Sequence, residues 1–172
     1  MSPHRAQLAG GAIAALALAT ALGGCGFTPL YATPGVSSGL ASIDVTAPHG
    51  RVGYLLREDL DDALGRDKST PAAYRLELTL VQSRGPRGLN INDVAEYYDL
   101  GLTVQYRLVS IATGKVAASG AVTSQVSYDD TGQAYADIAA AQDAQGRIAN
   151  DAAQRIQVQL ASWMHRQAQG GD

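Results

Sequence analysis

Cysteine, histidine and charge are scarce in this chain, and each shortage disfavours a class of function. The 172 residues include one cysteine and three histidines, and charged residues make up 17% of the total. One cysteine cannot form an intramolecular disulfide, and the histidines have no partner at the spacing of a zinc site. Sixteen acidic residues outnumber thirteen basic ones, so the basic excess typical of nucleic-acid binding is missing. We therefore expect no nucleic-acid partner, no metal site and no bound cofactor.

The sequence offers little sign of catalysis. The segment SRGPRG lacks the glycine spacing and the lysine of a phosphate loop. The adjacent carboxylates Asp61/Asp62 and Asp129/Asp130 fall on a helix exterior and at a helix cap, where solvated charge is the simpler interpretation. Asp59, near the edge of an apolar stripe, is favoured as a rim carboxylate paired with an arginine over a catalytic acid. These features predict a binding or assembly factor and no enzyme.

The N-terminal region has the layout of a secretory signal peptide. A short basic start precedes an Ala/Leu-rich segment from Leu8 to Leu22, which is too short to be a membrane-spanning helix. The two glycines before Cys25 resemble the bacterial lipobox, in which the cysteine thiol is diacylated and the peptide is cut just before it. We predict a cleaved signal peptide over residues 1–24 and a covalent lipid on Cys25; the alternative is an ordinary buried thiol.

After the predicted cleavage site, the composition shifts to Gly, Ser, Thr and Pro. Residues 25–39 are therefore predicted to be the acylated cysteine and a flexible tether, and residues 40–172 a single domain. In bacterial lipoproteins of this type, an aspartate after the cysteine typically retains the protein in the inner membrane. Gly26 stands there instead, which indicates the periplasmic face of the outer membrane.

The predicted domain contains four strands and two helices. A short strand centred on Ile43 and Val45 comes first, and the three segments AYRLELTLVQS, YYDLGLTVQYRLVSI and VAASGAVTSQVSY follow later. The second and third of these are joined by a tight turn at Gly114. Apolar residues on one side of each strand indicate an antiparallel sheet with one covered face.

The two predicted helices have apolar stripes at helical spacing. The first runs from Arg51 to a stop at Gly65, with Val52, Leu56, Leu60, Ala63 and Leu64 on its stripe. The second runs from Gly132 to about Gln167, with Asp130 or Thr131 as its cap, and its stripe comprises Ile138, Ile148, Ala152, Ile156, Leu160 and Trp163. The order β, α, β, β, β, α predicts an α+β two-layer sandwich, with two helices on one face of a four-stranded, mostly antiparallel sheet.

Several segments together resemble the LPS-assembly lipoprotein family. They are GCGFTPLYA at the lipobox, AYRLELTL, the hairpin YDLGLTVQYRLVSIATGKVAASG, and the C-terminal AQGRIANDAAQRIQVQLASW. The resemblance implies a non-catalytic outer-membrane lipoprotein that plugs the lumen of the β-barrel translocon for lipopolysaccharide. It also implies that the plug helps the barrel to fold and contacts lipopolysaccharide. The expected partners are thus the barrel, lipopolysaccharide and, through the lipid anchor, the membrane.

Lipopolysaccharide carries phosphates, for which arginine and lysine are suitable donors. The candidate contacts are Arg84 and Arg87 in the loop after the second strand, and Arg107 and Lys115 around the hairpin; ordinary surface charge is an equal alternative for all four. A rival function is that of an auxiliary lipoprotein of an envelope lipid-transport ATPase. A lipid-anchored hydrolase would need a nucleophile and a base that the sequence does not provide.

Overall fold

A four-stranded sheet and three helices form the part of the chain that the computed structural model describes, residues 35–87 and 97–170. The elements in chain order are α1 (Val36–Ala41), β1 (Ile43–Thr46), α2 (Arg51–Leu64), β2 (Tyr74–Pro86), β3 (Tyr97–Ser110), β4 (Val116–Asp129) and α3 (Ala134–Ala168). The predicted signal peptide and Cys25 lie outside the described residues. The predicted α+β arrangement, with helices packed against a sheet, is confirmed.

The strands follow one another across the sheet in the order β1-β2-β3-β4. β1 runs parallel to β2, and the pairings of β2 with β3 and of β3 with β4 are antiparallel. The turn between β3 and β4 contains Gly114 with a positive φ of 67°, a conformation in which glycine has no steric penalty. The sheet is therefore mostly antiparallel, as predicted.

One face of the sheet is buried under the helices. Leu76 from β2 and Leu102 and Leu108 from β3 are at most 1% exposed on this inner face. Thr79, Gln105 and the other residues that alternate with them point to the opposite, outer face, which is mainly polar. In the described residues, no helix packs on this outer face.

The two long helices bury the stripes that their spacing predicts, with one exception. Val52, Leu56, Leu60 and Leu64 of α2 are buried, and α2 ends at Gly65, whose φ of 63° is that of a left-handed cap. The α3 stripe is buried at Ile148, Ala152, Ile156 and Leu160, and Trp163 is half-buried. The prediction was wrong for Ile138, which is 57% exposed. Ten residues correspond to a rotation of about 80° from Ile148 around an α-helix, so Ile138 leaves the buried stripe.

The first helix begins inside the segment that was predicted to be a flexible tether. Residues 36–39 belong to α1, and its residues Val36 and Leu40 are buried in the core. At Gly39, an added Cβ would lie 2.7 Å from the sulfur of Met164, so α1 lies close to α3 here and an alanine would force the Met164 side chain to shift. The tether prediction was therefore wrong for its last residues, which form part of the folded domain.

The start of α3 also differs from the prediction. Its N-cap is Gln133, without a side-chain capping bond, rather than Asp130 or Thr131. Asp137 in the first turn of α3 instead accepts hydrogen bonds from the backbone N–H and the hydroxyl of Thr131, at 2.8 and 3.0 Å. The acidic side chain near the helix N-terminus thus holds the connection to β4 in place and also suits the helix dipole.

Candidate functional site

The four basic candidates lie in separate places and do not form one patch. Arg84 and Arg87 are near the end of the sheet where β2 stops and β3 begins, which we call the distal end. Arg84 is part of β2 rather than of the loop after it, so that prediction was wrong. Arg107 lies ten residues beyond Tyr97 along β3, or roughly 34 Å from the distal end. Lys115 is in the turn at the opposite end of the sheet.

Arg84 is held by two tyrosines on the inner face of the sheet. Its guanidinium carbon lies 3.7 Å from the centre of the Tyr98 ring, and its Nε donates a hydrogen bond to the Tyr128 hydroxyl. The two tyrosine rings stack with their centroids 6.0 Å apart, and the Asp130 carboxylate lies 3.8 Å from Arg84 Nη2. The hydrogen bond with Tyr128 raises the pKa of Arg84, with smaller contributions from Tyr98 and Asp130. This tyrosine–arginine cluster fixes the position of a permanent positive charge.

Arg87 lies beside the outer face at the same end. Its Nη1 donates a 2.9 Å hydrogen bond to Ser127 Oγ and lies 3.9 Å from a carboxylate oxygen of Asp99. Asp99 also accepts hydrogen bonds from Ser127 and Gln125, at 2.6 and 3.0 Å. The two arginines of the distal end therefore contact opposite faces of the sheet.

Arg107 and Lys115 have simpler surroundings. Arg107 Nη1 lies 3.8 Å from Glu77, and the same carboxylate group is 3.3 Å from Arg75 Nε. Such exposed ion pairs typically contribute less than about 1 kcal/mol to folding. Lys115 is exposed, and within residues 35–87 and 97–170 its ammonium has no ion-pair partner. Neither residue is placed as firmly as Arg84.

An open groove of about 540 Å³ runs between α3 and β4. Ala121 and Val122 line it from the strand, and Val158 lines it from the helix. Asp151 and Arg155, also in its lining, form an ion pair of 2.8 Å, and this hydrogen bond lowers the pKa of Asp151. The sequence analysis missed the groove because its two walls are formed by segments that are distant along the chain.

The carboxylates and histidines that could act in catalysis or metal binding lie apart from one another. Asp59 is half-buried beside the amide of Asn150, whereas an arginine partner was predicted. Burial raises the pKa of Asp59, with a further increase from Asp62 and an opposing effect of the hydrogen bond to Asn150. His49 precedes α2, and His165 lies near the end of α3. Among the described residues, no group of histidine, aspartate and glutamate side chains could hold a metal ion.

The fold and the placement of its charges define a class of protein, a small two-layer α+β domain with a polar sheet face and, at its distal end, two arginines that each lie beside a carboxylate. The family model for lipopolysaccharide assembly, LptE, matches residues 40–160. The match spans β1 to β4 and most of α3, and the chain belongs to this family. This membership favours lipopolysaccharide assembly over a role beside a lipid-transport ATPase.

Solved structures of bacterial lipoproteins share this fold. A candidate lipoprotein from Caulobacter crescentus is 44% identical with a TM-score of 0.68, over 77% of this chain and 97% of that one. The rare lipoprotein B from Shewanella oneidensis is 21% identical with a TM-score of 0.53, over 70% and 92% of the two chains. A minor lipoprotein from Acinetobacter baumannii is 18% identical with a TM-score of 0.52, over 70% and 88%. The last two show the fold alone.

The comparison with curated proteins gives no significant match. In the described part of the chain, no helix is both long and apolar enough to cross a membrane. The family match and the lipoprotein structures together support assignment of the chain as a lipopolysaccharide-assembly lipoprotein of the bacterial envelope.

Proposed function

We propose that this lipoprotein is a non-catalytic subunit that fills the lumen of the outer-membrane β-barrel for lipopolysaccharide transport. In this position it would help the barrel to fold and would contact lipopolysaccharide on its way to the cell surface. The observation that carries the proposal is the family match over residues 40–160, which includes almost every element of the fold.

The outer face of the sheet suits a position inside a barrel. The lumen of a large transmembrane barrel is polar, and its closed wall has no free strand edges. Side chains must therefore supply the contacts with the wall. Thr103, Thr123, Gln105 and Gln125 of β3 and β4 offer hydroxyl and amide groups on this face, which can bind either charged or neutral polar partners.

The distal end is the best candidate for contact with the phosphates of lipopolysaccharide. Asp130 and Asp99 lie 3.8 and 3.9 Å from the guanidinium nitrogens of Arg84 and Arg87, which is beyond hydrogen-bond distance. Both arginine side chains are exposed, whereas the two carboxylates are partly buried, so a phosphate can approach each guanidinium from solvent and form bidentate hydrogen bonds. Arg107 and Lys115 are two separate candidates for the same ligand, with fewer contacts than Arg84.

The proposed anchor is the lipid on Cys25. Each acyl CH₂ buried in the membrane contributes about 0.8 kcal/mol, and two or more chains give stable attachment. We expect the acylated N-terminus to hold the domain at the periplasmic face of the outer membrane, next to the barrel.

Depletion of the protein from its own cells tests the plug function. The abundance of the correctly assembled barrel and the amount of surface lipopolysaccharide are both expected to fall, and a plasmid copy should restore them. If both stay normal after the lipoprotein is gone, the proposed function is wrong.

Two single-charge variants test the lipopolysaccharide contact. Arg87→Gln and Lys115→Gln each remove one positive charge, at opposite ends of the sheet. Loss of a charge-assisted hydrogen bond costs about 1.5–3 kcal/mol, so Arg87→Gln should weaken binding to purified lipopolysaccharide by roughly tenfold or more. Lys115→Gln should have a smaller effect. Equal losses in the two variants would instead indicate unspecific attraction to surface charge.

A further inference from the structure

β2 has a long edge that is not covered in the described structure. The four residues of β1 pair only with Tyr74–Glu77, but β2 continues to Pro86. On the side of β1, no described strand lies beside residues 78–86 of β2. These nine residues form an edge of about 30 Å at the usual rise per residue.

The packing of α2 explains why β1 is so short. After Thr46 the chain turns through Pro48 into the first turn of α2. A Cβ added at Gly53 would overlap the carbonyl oxygen of Pro48, so this turn is tightly packed. The backbone of Pro48 is held against α2 and does not continue beside β2.

The hydrogen bonds at the ends of β2 show which backbone groups face the open side. The N–H of Arg87 donates to the Tyr97 carbonyl at 2.8 Å, and the Ala73 carbonyl accepts from the N–H of Ile111 at 3.0 Å. The backbone N–H and C=O groups of the odd-numbered residues of β2 therefore point toward β3. Because backbone groups alternate along a strand, those of Leu80, Gln82 and Arg84 face the open edge. Pro86 lies on the same side and has no N–H to offer there.

The opposite edge of the sheet, along β4, is partly covered by α3. Along β4, Gln159 and Arg147 of α3 donate hydrogen bonds to the carbonyls of Ala121 and Ser127, at 3.5 and 3.3 Å. Within the residues described, no side chain makes such a bond to the open edge of β2. Val81 on this strand is also 60% exposed on the outer face. An uncovered edge with exposed β-branched residues is a template for strand pairing.

We propose that the open edge of β2 binds an extended polypeptide segment of the barrel partner, which adds a strand to the sheet in line with β1. An extended peptide matches the alternating donors and acceptors of Leu80, Gln82 and Arg84. The positive charge of Arg84 at the distal end of this edge favours an acidic residue in the segment, and Val81 favours an apolar one. This inference rests on the proposed function.

The partner segment must come from a loop or a chain end of the barrel. The wall strands of a closed barrel already pair on both sides and cannot add to another sheet. The segment therefore projects into the lumen, and its pairing with β2 would fix the orientation of the domain there.

A proline at position 82 tests the edge directly. Gln82→Pro removes an N–H that faces outward and leaves the pairing of β2 with β3 intact, since that pairing uses the odd-numbered residues. Ser119→Pro is the matched control, because the N–H of residue 119 faces away from β3 on the other edge of the sheet. Gln82→Val keeps the N–H and controls for loss of the amide side chain.

The readout is the amount of barrel that copurifies with the tagged, full-length lipoprotein from outer membranes. We expect at least a tenfold loss for Gln82→Pro and wild-type amounts for the other two variants, with thermal unfolding confirming that all three fold. A photo-crosslinking amino acid at position 81 should additionally join to a loop or terminal peptide of the barrel.

The possible results separate the two proposals. If wild-type protein captures the barrel and Gln82→Pro captures it equally well, the edge inference is wrong and the proposed function stands. If wild-type protein captures no barrel, the proposed function fails and the inference fails with it. A crosslink from position 81 to a second copy of this chain would overturn the barrel segment as the occupant.

Discussion

Gly120 on β4 is a position where a single added methyl group should damage the packing between the sheet and α3. Its partner across β3 and β4 is Tyr106, which is buried and donates a 2.7 Å hydrogen bond to Oε1 of Gln159 on α3. A Cβ at position 120 would lie 2.5 Å from the Tyr106 hydroxyl oxygen and 2.6 Å from the adjacent ring carbon. Gly120→Ala therefore requires the ring to move and to lose its contact with α3.

The expected loss of stability follows from three effects. Forced repacking in a filled core costs about 1–3 kcal/mol, and a lost hydrogen bond adds about 0.5–1.5 kcal/mol. Replacing glycine by alanine recovers about 0.4–1 kcal/mol, because the unfolded chain becomes less flexible. We expect a net decrease of about 2 kcal/mol in the free energy of unfolding, which corresponds to a fall of about 1 M in the urea midpoint.

Urea unfolding followed by tryptophan fluorescence measures this change. Trp163 is the only tryptophan of the chain, and it lines a cavity of about 420 Å³ together with Tyr106. Gly85→Ala is the control, since an added Cβ there would meet nothing within 4 Å, and its effect should stay within about 0.5 kcal/mol.

A second substitution tests the cause. In a Tyr106→Leu background the ring is gone, so Gly120→Ala should no longer destabilise the protein. If the alanine costs the same with and without the ring, the steric contact with Tyr106 is not the reason for the glycine.

Four further predictions concern separate parts of the chain. Cys25→Ala should leave an unprocessed precursor at the inner membrane, seen as slower gel migration; normal processing would refute acylation. Gly146→Ala should raise the free energy of unfolding by about 0.5–1 kcal/mol, because Gly146 is within α3 and an added Cβ meets nothing within 4 Å. Burial raises the pKa of Asp59 above 3.8, so the ionised carboxylate destabilises the folded state. Asp59→Asn should therefore increase the free energy of unfolding at pH 7 but not below pH 3.8, where the carboxyl group is protonated in both states. The hydrogen bond from Arg155 lowers the pKa of Asp151, so Asp151→Asn should decrease stability at pH 7, and urea titrations should show this difference vanishing as pH falls through the folded pKa.

The strands and the long helices were predictable because their signals are local. Alternation in β2 and β3 places Leu76, Leu102 and Leu108 on the buried face, and a spacing of four residues places Leu56 and Leu60 of α2 in the core. These patterns need only the residues within one element. The two-layer arrangement then follows because each apolar face must be covered.

The missed features depend on contacts between distant residues. α1 is six residues long and is held by the approach of Gly39 to Met164, which nothing in the sequence around Gly39 reveals. β2 was expected to stop before Arg84 because Gly85 and Pro86 usually break strands. Pro86 is tolerated because the side of β2 where its N–H would be is the open edge.

The placement of the arginines could not be predicted from their positions along the chain. Arg84 meets Tyr128 only because β3 lies between β2 and β4 in a register that brings Arg84, Tyr98 and Tyr128 to one end of the sheet. Periodicity identifies which face a residue occupies but gives no register between strands.

The charges at the distal end also bear on how a ligand would leave the proposed site. A phosphate that displaced Asp130 from Arg84 would still have that carboxylate nearby, and Asp99 would stay equally close to a phosphate on Arg87. The repulsion between these negative groups limits affinity, whereas the tyrosine contacts of Arg84 keep the guanidinium in position for binding. A transport site must release its cargo, so weakly paired arginines beside carboxylates suit it better than unpaired ones. Asp130→Asn should accordingly slow the dissociation of lipopolysaccharide, and an unchanged dissociation rate in surface plasmon resonance would contradict this balance.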